Sequence, residues 1–127
     1  MFAFRSIATT VVMVAASLAS ASAFAHPKLV VSSPVDNATV SAPATINLSF
    51  TEKLLPSLSG AELTMTKMPG MEMPPMKVAA KAAPSADGKS LIVTPDKPLS
   101  TGTYRLHWRV VSNDTHPVKG SISFSVK

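Results

Sequence analysis

Residues 104–110 read Tyr-Arg-Leu-His-Trp-Arg-Val, so apolar Tyr104, Leu106, Trp108 and Val110 alternate with Arg105, His107 and Arg109. Successive side chains of a β-strand point to opposite faces, and this period of two places the apolar groups on one side and the polar groups on the other. Such a strand must bury its apolar face against a second layer. The same alternation recurs in Ile46, Leu48 and Phe50, in Ala61, Leu63 and Met65, and in Ile122, Phe124 and Val126. Shorter apolar runs occupy Lys28–Ser32, Lys77–Ala80 and Leu91–Val93. Turn clusters punctuate them at Ser33–Asn37 and Asp87-Gly88, and Pro95 and Pro98 close the strand at 91–93. About seven strands at the roughly 8–12-residue spacing of a sandwich predict an all-β fold, a small Greek-key barrel or sandwich. No helix of ordinary length is evident after residue 25. Ala79–Ala86 is alanine-rich but contains Pro84 and reads as a loop.

The first 25 residues have the form of an export signal. Arg5 supplies the positive n-region, Ile7–Ala19 is apolar, and Ala23-Phe24-Ala25 fits a cleavage site. The apolar run is short of the roughly 20 residues that span a bilayer. The expected product is a single exported domain, residues 26–127, that does not span a membrane and begins at His26. Ala21-Ser22-Ala23 also fits as a cleavage site. The chain has no cysteine, so any soft-metal site must use methionine or histidine, which suits an oxidising compartment. The formal charge of +5 is spread over scattered lysines and arginines. With no basic run and few aromatics, it gives little support for nucleic-acid binding.

Five of the seven methionines fall between Met65 and Met76, in Met-Thr-Lys-Met-Pro-Gly-Met-Glu-Met-Pro-Pro-Met. Methionine commonly fills gaps in a core. Here Pro69, Pro74 and Pro75 oppose both helix and central strand, and Lys67, Glu72 and Lys77 keep the run wet. Met65, Met68, Met71, Met73 and Met76 follow neither helical nor strand periodicity. The run reads as an exposed loop of clustered thioethers, and soft neutral sulfur selects cuprous copper. A flexible protein-binding surface is the alternative.

Three further pieces carry polar chemistry. Cleavage after Ala25 would leave His26 with a free amine beside its imidazole Nδ1, a bidentate chelate. Pro27 has no N–H and blocks a metal from displacing the next amide proton. Tetragonal nitrogen and oxygen coordination is what cupric copper prefers. Asp114 and His116, in Asn-Asp-Thr-His-Pro, share a face if the backbone there is extended, and the carboxylate could fix the histidine tautomer or join the metal. Read locally, this is an Asx-type turn after a strand, with Pro117 ending ladder pairing. Glu52 is either a strand-end surface charge or an oxygen ligand. His107 lies on the polar face of its strand and reads as a surface histidine.

In order along the chain stand His-Pro at 26–27, Ser-Ser-Pro-Val-Asp-Asn-Ala at 32–38, Phe-Thr-Glu at 50–52, the Met-rich run, Tyr-Arg-Leu-His-Trp-Arg-Val-Val-Ser at 104–112 and Asp-Thr-His-Pro at 114–117. This combination resembles the CopC/PcoC family of periplasmic copper-resistance proteins. The resemblance implies an immunoglobulin-like Greek-key β-barrel with two copper sites at opposite ends. It implies a Cu(II) site at His26 and His116, with Glu52 and Asp114 as axial ligand or supporting carboxylates. It implies a Cu(I) site at Met65, Met68, Met71 and Met76. Met73 stands where many Met-rich members have a histidine, which makes this run all-thioether. The implied role is a copper carrier, not an enzyme, serving a CopD-type inner-membrane protein and a periplasmic multicopper oxidase. An oxidase with a histidine-brace site, and a plain exported β-sandwich interaction domain, are the alternatives. No G-x-S-x-G, H-E-x-x-H or phosphate-loop motif is present.

Overall fold

The structure is a computed structural model that describes residues 26–127. The expected export signal and its cleavage site lie outside the described residues. Nine strands follow in order: β1 (Leu29–Ser33), β2 (Ala38–Val40), β3 (Ile46–Phe50), β4 (Gly60–Met68), β5 (Met71–Val78), β6 (Ala80–Pro84), β7 (Ser90–Pro95), β8 (Gly102–Val111) and β9 (Pro117–Val126). One turn of 3-10 helix spans Pro56–Leu58. The strands form two sheets, ordered β1-β3-β7-β6 and β2-β9-β8-β4-β5. Among the described residues only β2 against β9 is a parallel pairing. This is the all-β Greek-key sandwich expected from the alternation, with nine strands where about seven were expected, and its immunoglobulin-like character is the one that the family resemblance implied.

The core follows from that alternation. Tyr104, Leu106, Trp108 and Val110 of β8 are buried, while Arg105, His107 and Arg109 are exposed. They meet Ile46, Leu48 and Phe50 of β3, Leu91 and Val93 of β7 and Ile122, Phe124 and Val126 of β9. Burying each large aliphatic side chain stabilises the fold by about 1.5–3 kcal/mol. Phe50 meets Trp108 edge-on at 5.1 Å between ring centroids, and Tyr104 stacks on Phe124 at 5.5 Å. The Tyr104 hydroxyl donates to the Ser100 carbonyl at 2.6 Å, which satisfies its one buried polar atom.

Three local expectations change. Ala79–Ala86 is not a loop, because Ala80–Pro84 forms β6. That strand lies at a sheet edge, and its proline is the last residue, where a missing N–H costs no ladder bond. Pro117 does not end pairing either. It opens β9 opposite Val111, a position that proline tolerates, so β9 starts well before Ile122. The methionine run is a hairpin rather than a loop.

Candidate metal centre

Two sets of metal-ligating side chains sit at opposite ends of β8. A ten-residue strand rises about 3.3 Å per residue, which separates its ends by about 30 Å.

At one end, His26, Asp114 and His116 bring ligand atoms within 4.8 Å of one another. Backbone and side-chain bonds position them. Lys28 N–H donates to Thr51 Oγ1 at 3.0 Å and Thr51 N–H to the Lys28 carbonyl at 2.9 Å, fixing the N-terminal segment against the end of β3. The end of β8 is tied to the 3-10 turn, with Val111 N–H donating to Ser59 Oγ at 3.0 Å and Leu55 N–H to the Val111 carbonyl at 2.7 Å. The connection from β8 to β9 then turns sharply. Thr115 N–H donates to the Ser112 carbonyl at 2.9 Å, and His116 N–H donates to Asp114 Oδ1 at 3.1 Å.

Asp114 and His116 therefore converge through an Asx turn and not through an extended backbone. Thr115 between them has φ 62°, a left-handed conformation that a β-branched residue adopts only under constraint. The sequence carried no sign of this strain, since threonine disfavours it.

Asp114 is the best-held of the three. Its side chain is only 6% exposed, against 58% for His26. Oδ1 accepts from Ser112 Oγ at 3.3 Å and from His116 N–H, while Oδ2 faces His26 Nδ1 at 2.5 Å. Desolvation pushes the Asp114 carboxyl up. The bonds from His116, His26 and Ser112, together with the charge interaction with His26, outweigh it and hold the group below its ordinary value. The His26 and His116 rings lie 5.5 Å apart, tilted by 49°. Glu52 is not among the mutually close groups. β3 stops at Phe50, so Glu52 does not continue the face of that strand.

At the other end, β4 and β5 form the methionine hairpin at the edge of the five-stranded sheet. Pro69 and Gly70 make its turn, and Gly70 takes φ 70°, as the third residue of a type II turn requires. Pro74 and Pro75 lie in an edge strand, where missing donors are tolerated. Met65 is the direct partner of Met76, and Met68 of Met71. A bulge explains the missing periodicity. Met65 faces Tyr104 on β8 while Lys67 faces Thr103, so Thr66 is an extra residue on β4. Tyr104 and Thr103 are consecutive and point to opposite faces. Lys67 is thereby turned outward, and Met68 returns to the face of Met65.

Gly102 makes room for this bulge. A Cβ there would stand 2.7 Å from the Lys67 carbonyl oxygen and 3.0 Å from Met65 Cε. The five thioethers differ in access. Met65 is 7% exposed and packs in the core, and Met73 is half-buried against it. Met68, Met71 and Met76 are 43%, 59% and 57% exposed. A cavity of about 530 Å³ opens between Met65, Met76 and the segment Pro98–Ser100. His107 is exposed and belongs to neither set.

The CopC domain family model matches residues 29–127. Copper resistance protein C of Pseudomonas syringae pv. tomato is 51% identical over 113 residues, covering 89% of this chain and 90% of that protein. Copper resistance protein C of Escherichia coli is 53% identical over 107 residues, covering 84% and 85%. The crystal structure of PcoC, a methionine-rich copper resistance protein from Escherichia coli, aligns with a TM-score of 0.75 at 51% identity, over 81% of this chain and all of that one. CopC from Methylosinus trichosporium OB3b aligns at 0.65 and 29% identity, over 80% of this chain and 94% of that one. With a family model spanning every strand of the sandwich and relatives matched along most of their length, this chain belongs to the CopC family.

Proposed function

We propose that this protein is a periplasmic copper carrier, exported by cleavage after Ala25, with one site for each oxidation state of its cargo. Cu(II) is held at His26 by the terminal amine and Nδ1, with His116 and Asp114. Glu52, just past the Lys28–Thr51 bonds, is the carboxylate offered to the remaining position. The observation that carries this reading is the approach of His26 Nδ1 to Asp114 Oδ2 at 2.5 Å, across 88 residues of sequence, with His116 beside them. Cis ligands of one ion with bonds of about 2.0 Å stand about 2.8 Å apart. The pair is nearly at that spacing with a proton between them, which Cu(II) would displace.

Cu(I) is held by the methionine hairpin. The Met65–Met76 and Met68–Met71 pairs share one face of the sheet, Met73 is half-buried against the core, and these five thioethers are the candidate ligands. Thioether sulfur favours Cu(I) and carries no proton. The names of the relatives, copper resistance protein C in two organisms, support copper as the cargo. The role is carriage rather than catalysis, with a CopD-type inner-membrane protein and a periplasmic multicopper oxidase as the expected exchange partners.

The test is titration of the exported protein with each oxidation state. Leucine at all five hairpin positions should abolish Cu(I) binding and leave Cu(II) binding intact. Cu(I) binding that survives this change would sink the two-site scheme.

A further inference from the structure

The outer face of the five-stranded sheet carries a second polar cluster. Arg109 of β8 and Lys119 of β9 are direct cross-strand partners. Like charges in that relation repel each other. Neither joins an ion pair among the described residues, and Arg109 reaches only the Leu58 carbonyl, through Nη1 at 3.5 Å. On its other side Arg109 faces Gly60 of β4. Neither packing nor backbone demands glycine there, because a Cβ would meet nothing within 4 Å and no left-handed φ is present. The absent side chain opens a depression of about 390 Å³ between Gly60 and Gly120, walled by Glu62, His107, Arg109 and Lys119.

We propose that this depression docks an acidic segment of a partner protein, with one carboxylate seated on the Arg109–Lys119 row. The guanidinium fork matches a carboxylate in two-point geometry, and the lysine adds a point charge beside it. The docked anion relieves the repulsion that the strand register imposes. Glu62, opposite His107 in the next row, repels densely charged anions and favours a single carboxylate over phosphate. The site continues into the strand ends that carry Asp114 and His116. Lys119 lies three residues from His116, about 10 Å along the strand. A partner seated here stands beside the cupric ligands, and this last point rests on the carrier reading above.

The test is a titration of the exported protein followed by backbone amide resonances, with poly-L-glutamate as probe, and polyphosphate and phosphatidylglycerol vesicles as separate arms. Saturable shifts should centre on Gly60, His107, Arg109 and Lys119, and should weaken as salt is raised. Arg109→Gln with Lys119→Gln should weaken poly-L-glutamate binding about tenfold. Lys81→Gln with Lys97→Gln removes the same charge elsewhere and should weaken it less than about twofold. Gly60→Leu fills the depression at constant charge and should also weaken binding. Equal losses in the two double variants, unchanged binding in Gly60→Leu, or preferential binding of vesicles or polyphosphate overturns the proposal. Cu(II) titration of the same variants should be unchanged, so a failure of the cupric site would be seen separately from a failure of the docking site.

Discussion

The two ends of β8 present metal-ligating groups in contrasting ways. At the His26 end, one group lies 88 and 90 residues from the other two, and Asp114 among them is held by three hydrogen bonds. At the methionine end they come from one hairpin, they are thioethers that carry no proton, and three of five are exposed. The first is preorganised by a hydrogen-bond network and a strained turn. The second is preorganised by strand register, with a bulge bringing four thioethers to one face. On the carrier reading proposed above, one end would compete with protons for its metal, and the other would not.

The largest effect that would break this contrast is loss of a polar ligand. His116→Ala should lower Cu(II) affinity by at least about 100-fold, beyond the 10–100-fold typical of groups that only support a ligand. Cu(I) affinity should stay the same, as competition with a chromophoric chelator for each ion would show. A shared loss would mean that the two ends are not independent.

Acid should separate them next. Cu(II) affinity should fall as the solution is acidified, because protons compete with the metal for nitrogen ligands, while Cu(I) affinity stays nearly flat. The metal-free fold should outlast the loss of Cu(II). Asp114 has a lowered folded pKa, so its stabilising contribution is complete above 3.8 and is lost as pH falls through the lowered value. Circular dichroism beside metal titration would show release of Cu(II) well before the turn at 112–116 is lost. Coincident transitions would contradict the assignment.

Gly102→Ala should destabilise the fold by about 1–3 kcal/mol, because the new Cβ collides with the Lys67 carbonyl oxygen. It should also weaken Cu(I) more than Cu(II), since it displaces the bulge beneath Met65. Denaturant unfolding and the two titrations check both points.

The smallest effect concerns the strained turn. Thr115→Asn should raise stability by about 1 kcal/mol, as asparagine accepts a left-handed backbone more readily. Melting temperature should rise by about 4–8 °C. A fall would show that the Thr115 Oγ1 bond to the Asp114 carbonyl outweighs the strain.

Much of this was legible before any coordinates, and the misses have physical causes. The two-residue alternation at 104–110 and 46–50 reports burial directly, and it marked the core faces correctly. Local rules failed where an edge changes what proline costs. Pro74, Pro75 and Pro84 look like strand breakers, but Pro84 ends an edge strand, and Pro74 and Pro75 fall in a stretch of β5 that the pairing with β4 skips. The methionine run defeated periodicity because Thr66 is an extra residue on β4 relative to β8 and β5 carries extra residues between Glu72 and Met76, and such insertions exchange the two faces. For Asp114 and His116 the local reading, an Asx-type turn, is what the structure has, and the extended alternative is not. They meet through a turn whose left-handed threonine no propensity would suggest.

By itself the sequence determined the layer architecture, the sorting of apolar from polar faces, and the kinds of ligand atom available: thioether, imidazole and carboxylate, with no thiol. These follow from side-chain chemistry and from spacing within a few residues. Only the tertiary structure decided that His26 stands against Asp114, that Met65 and Met76 are partners, and that Arg109 lies between Lys119 and the open floor at Gly60. Each of those is a long-range pairing set by strand register. Register is chosen by the packing of whole sheets, which no short stretch of chain encodes alone.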